Sequence, residues 1–310
     1  MTIDHQLSGR RILVTGASGF IGSALCRRLT LAGAEVHGVS RTERAGMDHC
    51  ARWYKCRLDD IDATRGLLKT SRPDFIFHLA SHVAGSRAVE LVLPTFSGNL
   101  ASTVNLLTAV TELGCERIFL TGSLEEPEPG PEHAVPSSPY AVAKFAASAY
   151  GRMFHALYNT PVVILRLFMV YGPGQQDLRK LVPYVILSLL KGETPQLSSG
   201  VRRADWIFVD DVVAGYLAAT AAKGLEGSTV DLGTGRLESV RTVVEELYGL
   251  IDPRVQPAFG SVPERALEQT RTADADISFR RLGWRAQVSL HDGLSRTAKW
   301  YREQLERGTL

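Results

Sequence analysis

The first half of the chain alternates short apolar runs with longer stretches in which apolar residues recur every three or four positions. The short runs are typical of buried strands, and the longer stretches are typical of amphipathic helices. Strands that alternate with helices predict right-handed βαβ units and a parallel sheet covered by helices on both faces. The predicted strands are residues 12–15, 35–39, 75–79, 117–121 and 162–167. The predicted helices are residues 23–32, 60–70, 95–113 and 138–158.

After residue 171 the pattern becomes irregular, and the run Gly172-Pro173-Gly174 breaks it. Two further apolar runs, residues 206–209 and 229–232, are predicted to be strands that return to the sheet. A helix over residues 211–222 would join them, and residues 240–250 and 293–305 would belong to a separate lobe.

The whole pattern predicts an α/β fold: a Rossmann-type, doubly wound parallel sheet with a smaller α+β substrate-binding lobe. Residues 1–168 with 205–232 would form the sheet domain, and residues 169–204 with 233–310 would form the lobe. The lobe would lie over the carboxyl ends of the strands, where open α/β sheets bind ligands. Residues 125–139, rich in Pro and Glu, are expected to be an exposed loop beside that cleft.

Composition and charge exclude several classes of protein. The 310 residues are 45% apolar and 22% charged, with a net charge of +2, which is typical of a globular protein and does not call for nucleic acid or an anionic membrane. No apolar run approaches the roughly 20 residues that span a bilayer, and residues 1–10 lack the apolar core of a signal peptide. We therefore expect a cytoplasmic protein. The cysteines show no C-x-x-C spacing, so we expect reduced thiols and no metal site.

A glycine run at the first strand-to-helix junction is the strongest single motif. Gly16, Gly19 and Gly22 follow the predicted strand directly, with G-x-x-G-x-x-G spacing. Such glycines permit a tight turn, the approach of backbone to a pyrophosphate and close packing of helix on strand, and the helix N-terminus favours an anion. Glycine-rich turns also occur without a ligand, but this position favours a dinucleotide site.

A second motif places a phenol and an ammonium group on one face of a predicted helix, at Tyr140 and Lys144. A phenol has an ordinary pKa of about 10. A neighbouring lysine and a positively charged nicotinamide would both lower that pKa, which would make Tyr140 an acid–base catalyst. Ser123, just beyond a predicted strand, could donate to a substrate oxygen. Taken alone, Tyr140 and Lys144 also fit a pair on the surface of a helix, and Ser123 also fits an ordinary turn serine. Together with the glycine run, the three residues favour a catalytic site.

With these residues assembled, the chain resembles the extended short-chain dehydrogenase/reductase superfamily, in its nucleotide-sugar epimerase, dehydratase and reductase branch. The resemblance covers nearly the whole chain. The motifs that carry it are Gly16 to Gly22, His78-Leu79-Ala80, Asn99, Ser123, Tyr140 with Lys144, Tyr171-Gly172-Pro173-Gly174, residues 205–212, Pro263-Glu264-Arg265, Leu282-Gly283-Trp284 and Trp300-Tyr301.

The resemblance implies that Ser123, Tyr140 and Lys144 are catalytic, with Tyr140 as acid and base. The cofactor-binding residues that it implies are Gly16, Ser18, Gly19, Phe20, Ile21, Gly22, Arg41, Leu58, Leu79, Ala80, Asn99, Tyr140, Lys144 and Phe168. The substrate-binding residues that it implies are Ser123, Glu125, Met169, Arg203 and Arg265, of which Arg265 would meet the substrate diphosphate. Members of this superfamily often dimerise through two helices, here residues 95–113 and 138–158, so a homodimer is expected.

Several departures from the family pattern refine the expected chemistry. The second predicted strand is followed by Ser40 and Arg41 rather than by a carboxylate for the ribose 2′-OH, which favours NADP(H), with NAD possible. Leu124 stands where the 4,6-dehydratases place an aspartic acid, which disfavours elimination.

Three further departures fall on binding positions. Met169 replaces an asparagine that is common in the epimerases, and Arg57 replaces an adenine-binding aspartate. The usual Arg-Asp pair is spread to Arg203-Ala204-Asp205, so Arg202 or Arg203 would make the phosphate contact.

Three functions are compatible with these residues. The first is an NADP(H)-dependent reductase of a nucleotide-activated 4-keto-6-deoxysugar, in which hydride goes to the keto carbon and Tyr140 gives the proton. The alternative is a nucleotide-sugar 4-epimerase with bound NAD(P), which uses the same catalytic atoms. The third is a catalytically silent cofactor-sensing module. The intact set of Ser123, Tyr140 and Lys144 argues against this function.

Overall fold

A seven-stranded parallel sheet forms the centre of the protein. The computed structural model describes residues 3–44, 49–83, 86–127, 135–252, 254, 256–264 and 269–310. The strands of the sheet are β1 (Arg11–Thr15), β2 (Glu35–Ser40), β3 (Arg52–Lys55), β4 (Phe75–His78), β5 (Arg117–Ser123), β6 (Val162–Leu167) and β10 (Thr229–Leu232). Their order is β10-β6-β5-β4-β1-β2-β3, and every neighbouring pair is parallel. The predicted Rossmann-type α/β fold is confirmed.

Four short strands lie outside this sheet. They are β7 (Met169–Tyr171), β8 (Arg203–Ala204), β9 (Trp206–Phe208) and β11 (Glu238–Ser239). β7 pairs with β9 in parallel, and β8 pairs with β11 in antiparallel orientation.

The α-helices of the described residues are α1 (Ile3–Leu7), α2 (Phe20–Leu31), α3 (Ile61–Ser71), α4 (Val92–Thr95), α5 (Ser102–Leu113), α6 (Pro139–Tyr158), α7 (Leu181–Leu190), α8 (Val209–Ala221), α9 (Val240–Ile251), α10 (Ala275–Leu282) and α11 (Leu290–Glu306). A 3₁₀ turn, Val89–Leu91, precedes α4, and a π-helical segment, Phe96–Ala101, joins α4 to α5. The predicted helix 95–113 therefore begins earlier in the chain and is interrupted by the π segment. None of the helices in the described ranges is long and apolar enough to cross a membrane.

Side chains of the central strands alternate between two apolar cores, one on each face of the sheet. On β1, Ile12 and Val14 join the core that α2 and α8 cover, whereas Leu13 joins the core under α3, α5 and α6. This two-residue period is that of a strand, and both faces are apolar because helices cover both. A third core lies among α7, α9 and α11.

One predicted strand takes a different place from the one expected. Residues 206–209 were expected to return to the main sheet, but β9 pairs with β7 instead, so that prediction is wrong. The edge beside β6 is already occupied by β10. The Met169 N–H then donates to the Asp205 carbonyl at 2.9 Å, which starts the second sheet. β9 consequently lies between two cores, with Ile207 in the α2–α8 core and Trp206 in the third.

Candidate active site

The glycine run forms a tight turn between β1 and α2. Gly16 has a φ of +68°, a left-handed conformation that favours glycine. A Cβ on Gly16 would lie 2.8 Å from the Ala80 nitrogen and 2.9 Å from the Leu79 carbonyl carbon. The turn therefore touches the carboxyl end of β4, and it brings the predicted cofactor residues at these two places together.

Gly22 allows α2 to pack directly on this turn, because a Cβ there would lie 2.1 Å from the Gly16 carbonyl oxygen. Gly19 caps α2 and offers no side-chain acceptor to the first-turn N–H groups. Such a helix N-terminus is suited to an anionic group. The turn thus fits the pyrophosphate of a dinucleotide, with Ser18, Phe20 and Ile21 in the segment that would hold it. Gln176, in the loop after β7, donates a 2.6 Å hydrogen bond to the Ser18 carbonyl.

Ser123, Tyr140 and Lys144 come together where β5 ends and α6 begins. Ser138 caps α6 through a 3.1 Å hydrogen bond from the Ala141 N–H, which places Tyr140 in the first turn. The Ser123 hydroxyl lies close enough to the Tyr140 phenol to lower the pKa of that phenol. Lys144 Nζ donates to the Thr121 carbonyl at 2.9 Å and lies 5.8 Å from the centre of the Tyr140 ring.

Burial controls the acid–base properties of this group. It raises the pKa of Tyr140 above its ordinary value, although the nearby Ser123 hydroxyl acts in the opposite direction. Burial lowers the pKa of Lys144 to about 8, and the charge of Glu126 partly opposes this effect. Desolvation of the phenolate is the largest effect on the pKa of Tyr140 here. The expectation that Lys144 and a bound, positively charged nicotinamide together lower this pKa stays a prediction.

Glu126 is a functional candidate that the sequence reasoning missed. It was assigned to an exposed loop, but only 2% of its surface is exposed, so that assignment is wrong at this residue. Its Oε1 accepts a 2.7 Å hydrogen bond from the Ser123 N–H and lies 2.7 Å from where a Cβ on Gly122 would be. The signal in the sequence was a pair of acidic residues, Glu125 and Glu126, directly after the end of a buried strand. Residues 128–134 of the same segment lie outside the described residues.

A buried polar network supports the carboxyl ends of β1 and β4. The His78 ring lies between the hydroxyls of Thr15, at 2.8 Å, and Thr103, at 3.0 Å. Burial lowers the pKa of His78 to about 3, so its ring is neutral at physiological pH. Thr15 also accepts from the Ala80 N–H at 3.1 Å, which ties the network to the predicted cofactor residues.

Asn99, a predicted cofactor-binding residue, lies in the π segment and contacts the loop after β4. Its side-chain oxygen accepts hydrogen bonds from the His82 N–H at 2.5 Å and from the Ser81 hydroxyl at 3.1 Å. The buried Asn99 therefore holds the loop after β4 against the helix that precedes α5.

Two guanidinium groups flank one carboxylate at the predicted adenosine end. Arg41, the predicted contact of the 2′-phosphate, follows β2 and is exposed. Arg57 donates to Asp59 at 2.8 Å, and this bond lowers the pKa of Asp59; the charge of Arg41 lowers it further. Leu58 is buried beside them. Arg57 is thus paired with Asp59, and Asp60 adds a second carboxylate within electrostatic reach of Arg57.

The predicted substrate residues do not all converge. Met169 is partly buried on β7, and Glu125 is partly exposed, with its N–H donating to the Ser123 hydroxyl at 3.2 Å. Arg203 is exposed and donates to the Leu237 carbonyl at 2.9 Å. The predicted cofactor residue Phe168 is 4% exposed and lies in the α2–α8 core.

The predicted diphosphate contact, Arg265, lies outside the described residues. Its neighbour Glu264 accepts a 2.8 Å hydrogen bond from the Ser199 N–H. The hydrogen bonds from Ser199 and the charge of Arg202 lower the pKa of Glu264. Of the two arginines considered for a phosphate contact, Arg202 is therefore the one within electrostatic reach of this segment.

Asp205 is a structural residue whose role the sequence did not indicate. Its side chain is fully buried and accepts hydrogen bonds from the N–H groups of Thr234 at 2.7 Å, Gly235 at 2.9 Å and Ala273 at 3.1 Å. It fastens β9 to the loop after β10 and to the segment before α10.

The chain matches the NAD dependent epimerase/dehydratase family over residues 12–233 and belongs to that family. A curated relative, the UDP-glucose 4-epimerase of Mycolicibacterium smegmatis, is 32% identical over 320 residues, which cover 95% of this chain and 99% of the relative.

Two solved structures show the same fold over nearly the whole chain. An epimerase of Methanothermobacter thermautotrophicus has a TM-score of 0.87 at 26% identity and covers 98% of this chain and 96% of its own. The UDP-glucose 4-epimerase of Thermotoga maritima, solved with UDP-glucose, has a TM-score of 0.85 at 25% identity and covers 95% of this chain and 99% of its own.

Proposed function

We propose that this member of the NAD dependent epimerase/dehydratase family is an NADP(H)-dependent reductase of a nucleotide-activated 4-keto-6-deoxysugar. The observation that carries the proposal is the convergence of Ser123 and Tyr140 beside the buried ammonium group of Lys144. The exposed guanidinium of Arg41, directly after β2, supports the choice of NADP(H). Reduced NADPH suits net reduction, whereas an epimerase recycles its own cofactor.

Each residue of the set has a defined task in this proposal. Tyr140 gives its phenolic proton to the oxygen of the keto group as that group becomes a hydroxyl. Ser123 donates a hydrogen bond to the same oxygen and so positions it. When bound, the nicotinamide supplies the hydride that reduces the keto carbon. The ammonium group of Lys144 favours the phenolate that remains on Tyr140.

The cofactor would lie along the carboxyl ends of β1, β2 and β4. Its pyrophosphate would meet the N-terminus of α2, and Leu79 and Ala80 would line its path toward Lys144. Arg41 would meet the 2′-phosphate, and a charge-assisted contact of that kind contributes about 1.5–3 kcal/mol. We expect NADPH to bind about tenfold or more tightly than NADH, and Arg41→Ala to remove most of this preference. Calorimetric titration of both cofactors into both proteins tests it; equal affinities in the wild type would contradict the proposal.

The substrate would occupy the cleft between the sheet domain (residues 1–168 with 205–232) and the lobe (residues 169–204 with 233–310). We propose that Met169 and Glu125 border the sugar and that Arg265 holds the diphosphate, with Arg202 rather than Arg203 as a second contact. Leu124 is buried in the α2–α8 core, and its aliphatic side chain offers no proton for the elimination that a dehydratase performs.

A nucleotide-sugar 4-epimerase is the second candidate. The observation that favours it is the 32% identity to a UDP-glucose 4-epimerase over 95% of this chain. In that reaction Tyr140 would remove the proton of the 4-hydroxyl and later return it, and the cofactor would be regenerated in each turnover.

A direct assay separates the candidates. The protein is mixed with NADPH and dTDP-4-keto-6-deoxyglucose, and the loss of absorbance at 340 nm is followed; in parallel, UDP-glucose is offered without added cofactor. Consumption of NADPH supports the reductase, and conversion of UDP-glucose to UDP-galactose supports the epimerase. A silent cofactor-sensing module would turn over neither.

We also propose a homodimer that uses the face formed by α4, the π segment and α6. Val92, Leu93 and Phe96 are exposed on the first two elements, and Val142 and Phe145 are exposed on α6, which packs beside them. A second copy of the chain would cover this apolar face. Light scattering should give the mass of a dimer for the wild type and of a monomer for a Phe96→Glu variant; a monomeric wild type would contradict this proposal.

A further inference from the structure

A buried carboxylate lies beneath the catalytic set, and the mechanism described so far does not use it. Glu126 is 2% exposed, and its side chain occupies the space that a side chain at position 122 would need. Burial of an ionisable group is costly unless a hydrogen bond or an opposite charge compensates for it. Its hydrogen-bond partner is the Ser123 N–H at 2.7 Å, and its charge acts on the more distant ammonium group of Lys144, with which it makes no direct ion pair among the described residues.

The hydrogen bond to Ser123 fixes the turn that carries its hydroxyl. The Glu126 N–H donates back to the Ser123 carbonyl at 3.1 Å, so the two residues bond to each other through both backbone and side chain. Arg271 donates to the Glu126 carbonyl at 3.3 Å and ties the turn to the segment before α10. The position of the Ser123 hydroxyl beside Tyr140 therefore depends on Glu126.

The charges around the catalytic set leave Glu126 as the buried counter-charge of Lys144. The other titratable and charged side chains on the surrounding elements are His78 on β4, Arg166 on β6, Asp231 on β10, Tyr140 on α6, Tyr216 on α8, Glu125 after β5 and Arg271 before α10, whose guanidinium donates to the Glu126 carbonyl. Burial keeps the pKa of His78 low and the pKa values of Tyr140 and Tyr216 high, so all three are neutral near pH 7. Arg166 pairs with Asp231 at 3.0 Å, and Glu125 is partly exposed.

We propose that Glu126 is a positioning residue for the acid–base chemistry of Tyr140: its carboxylate fixes the Ser123 turn and balances the charge of buried Lys144. The kinetic part of this proposal rests on the proposed function, whereas the electrostatic part does not. A carboxylate placed only for structure could be replaced by an amide, since the amide oxygen also accepts from the Ser123 N–H. A carboxylate that balances the charge of Lys144 could not be replaced in this way, because an amide is neutral.

The variant Glu126→Gln therefore separates the two roles, and Glu125→Gln is its matched control. Glu125 is the adjacent acid, and the charges that shift the pKa of Lys144 do not include it. Lysine labelled with ¹³C at Cε is incorporated into the full-length protein, and the Lys144 signal is assigned by its loss in Lys144→Met. The pH titration of that signal, with and without NADPH, reports the charge of Lys144 whether or not a substrate is known.

We expect Lys144 without NADPH to titrate near pH 8 in the wild type and in Glu125→Gln. In Glu126→Gln its midpoint should fall by about one pH unit or more, because an opposite charge close to a buried ammonium group has an effect of that size. A midpoint that is the same in Glu126→Gln and wild type would overturn the proposal. If Glu126→Gln does not fold, Glu126→Asp keeps the charge and should leave the midpoint near that of the wild type; a fall in Glu126→Asp would overturn it too.

The kinetic readout is the pH profile of kcat. In Glu126→Gln the alkaline limb should move to lower pH together with the Lys144 midpoint. If that midpoint falls by about one pH unit, the protonated fraction of Lys144 at the wild-type midpoint falls from a half to roughly a tenth, so kcat there should fall by about fivefold. A lower Lys144 midpoint with an unchanged kcat profile would overturn the positioning role. Failure of the proposed function would be visible separately, as a wild type without turnover, and the titration would still decide whether Glu126 balances Lys144.

Discussion

Replacing Gly22 by alanine tests whether the glycine run is built as a close contact between α2 and the turn after β1. A Cβ at position 22 would lie 2.1 Å from the Gly16 carbonyl oxygen, 2.8 Å from its carbon and 3.0 Å from the Ala17 Cα. Carbon and oxygen atoms in contact are normally about 3.3–3.6 Å apart, so the Gly16 carbonyl must withdraw by about 1 Å. All three atoms belong to the backbone, so no side-chain rotation can relieve the clash.

The expected magnitude is a balance between strain and helix propensity. Overpacking of this kind costs about 1–3 kcal/mol, and the upper end applies because backbone must move. Alanine within a helix gains up to about 1 kcal/mol over glycine. The net loss is about 2 kcal/mol, which lowers the midpoint of thermal unfolding by roughly 3 °C in a protein of this size. NADPH affinity should fall as well, because the displaced Gly16 carbonyl belongs to the turn that would hold the pyrophosphate.

Gly66→Ala is the matched control, since Gly66 lies in α3, is exposed, and leaves open space within 4 Å of the place that a Cβ would take. It should raise stability by up to about 1 kcal/mol and leave cofactor affinity unchanged. Differential scanning fluorimetry and calorimetric titration of NADPH measure both quantities in the two variants. If Gly22→Ala unfolded at the same temperature as Gly66→Ala and bound NADPH equally well, the close contact would not exist.

Three other changes have defined outcomes. His78 has a pKa of about 3 in the folded protein, against an ordinary value of 6.5. As the pH falls below 6.5, His78 therefore takes up a proton only in the unfolded chain, and the free energy of unfolding of the wild type should fall by about 2 kcal/mol by pH 5. That loss should be absent in His78→Asn, and chemical denaturation of both proteins at the two pH values measures it; equal pH slopes would contradict the assignment. Asp205→Ala leaves three buried N–H donors without their acceptor, so we expect a loss of more than about 3 kcal/mol, and a thermal midpoint within about 2 °C of the wild type would refute it. Ser123→Ala should lower kcat by less than Tyr140→Phe does, because it removes one hydrogen bond and leaves the proton donor; a larger loss would exchange their roles.

The sheet could be predicted from the sequence because its central strands are apolar on both faces. Strands such as residues 12–15 and 162–167 are mostly apolar and lie between helical patterns, and the structure has both. β3 (Arg52–Lys55) was missed because it is a short edge strand with charged residues at both ends and only half-buried aromatic residues between them. The pairing of β9 was missed because the apolar pattern identifies a strand but not the strand that it pairs with. β9 pairs with β7 because β10 occupies the edge of the sheet beside β6.

Only part of the candidate site could be predicted from the sequence. The glycine run and the Tyr140–Lys144 spacing are local patterns, so they could be found in the sequence. Glu126 could not, because acidic residues after a strand normally face water and its burial depends on the absence of a side chain at Gly122. The raised pKa of Tyr140 also depends on desolvation by elements that are distant in the chain.

The central claim is that Tyr140 drives net reduction of a keto sugar with hydride from NADPH. The measurement that tests it most directly uses NADPH deuterated at the transferable position of C4, dTDP-4-keto-6-deoxyglucose, and mass spectrometry of the sugar. The account predicts one deuterium at C4 of the product with the wild type, and a rate lower by about 10²–10⁴ with Tyr140→Phe at unchanged NADPH affinity. A sugar without deuterium, or a Tyr140→Phe variant as fast as the wild type, would contradict it.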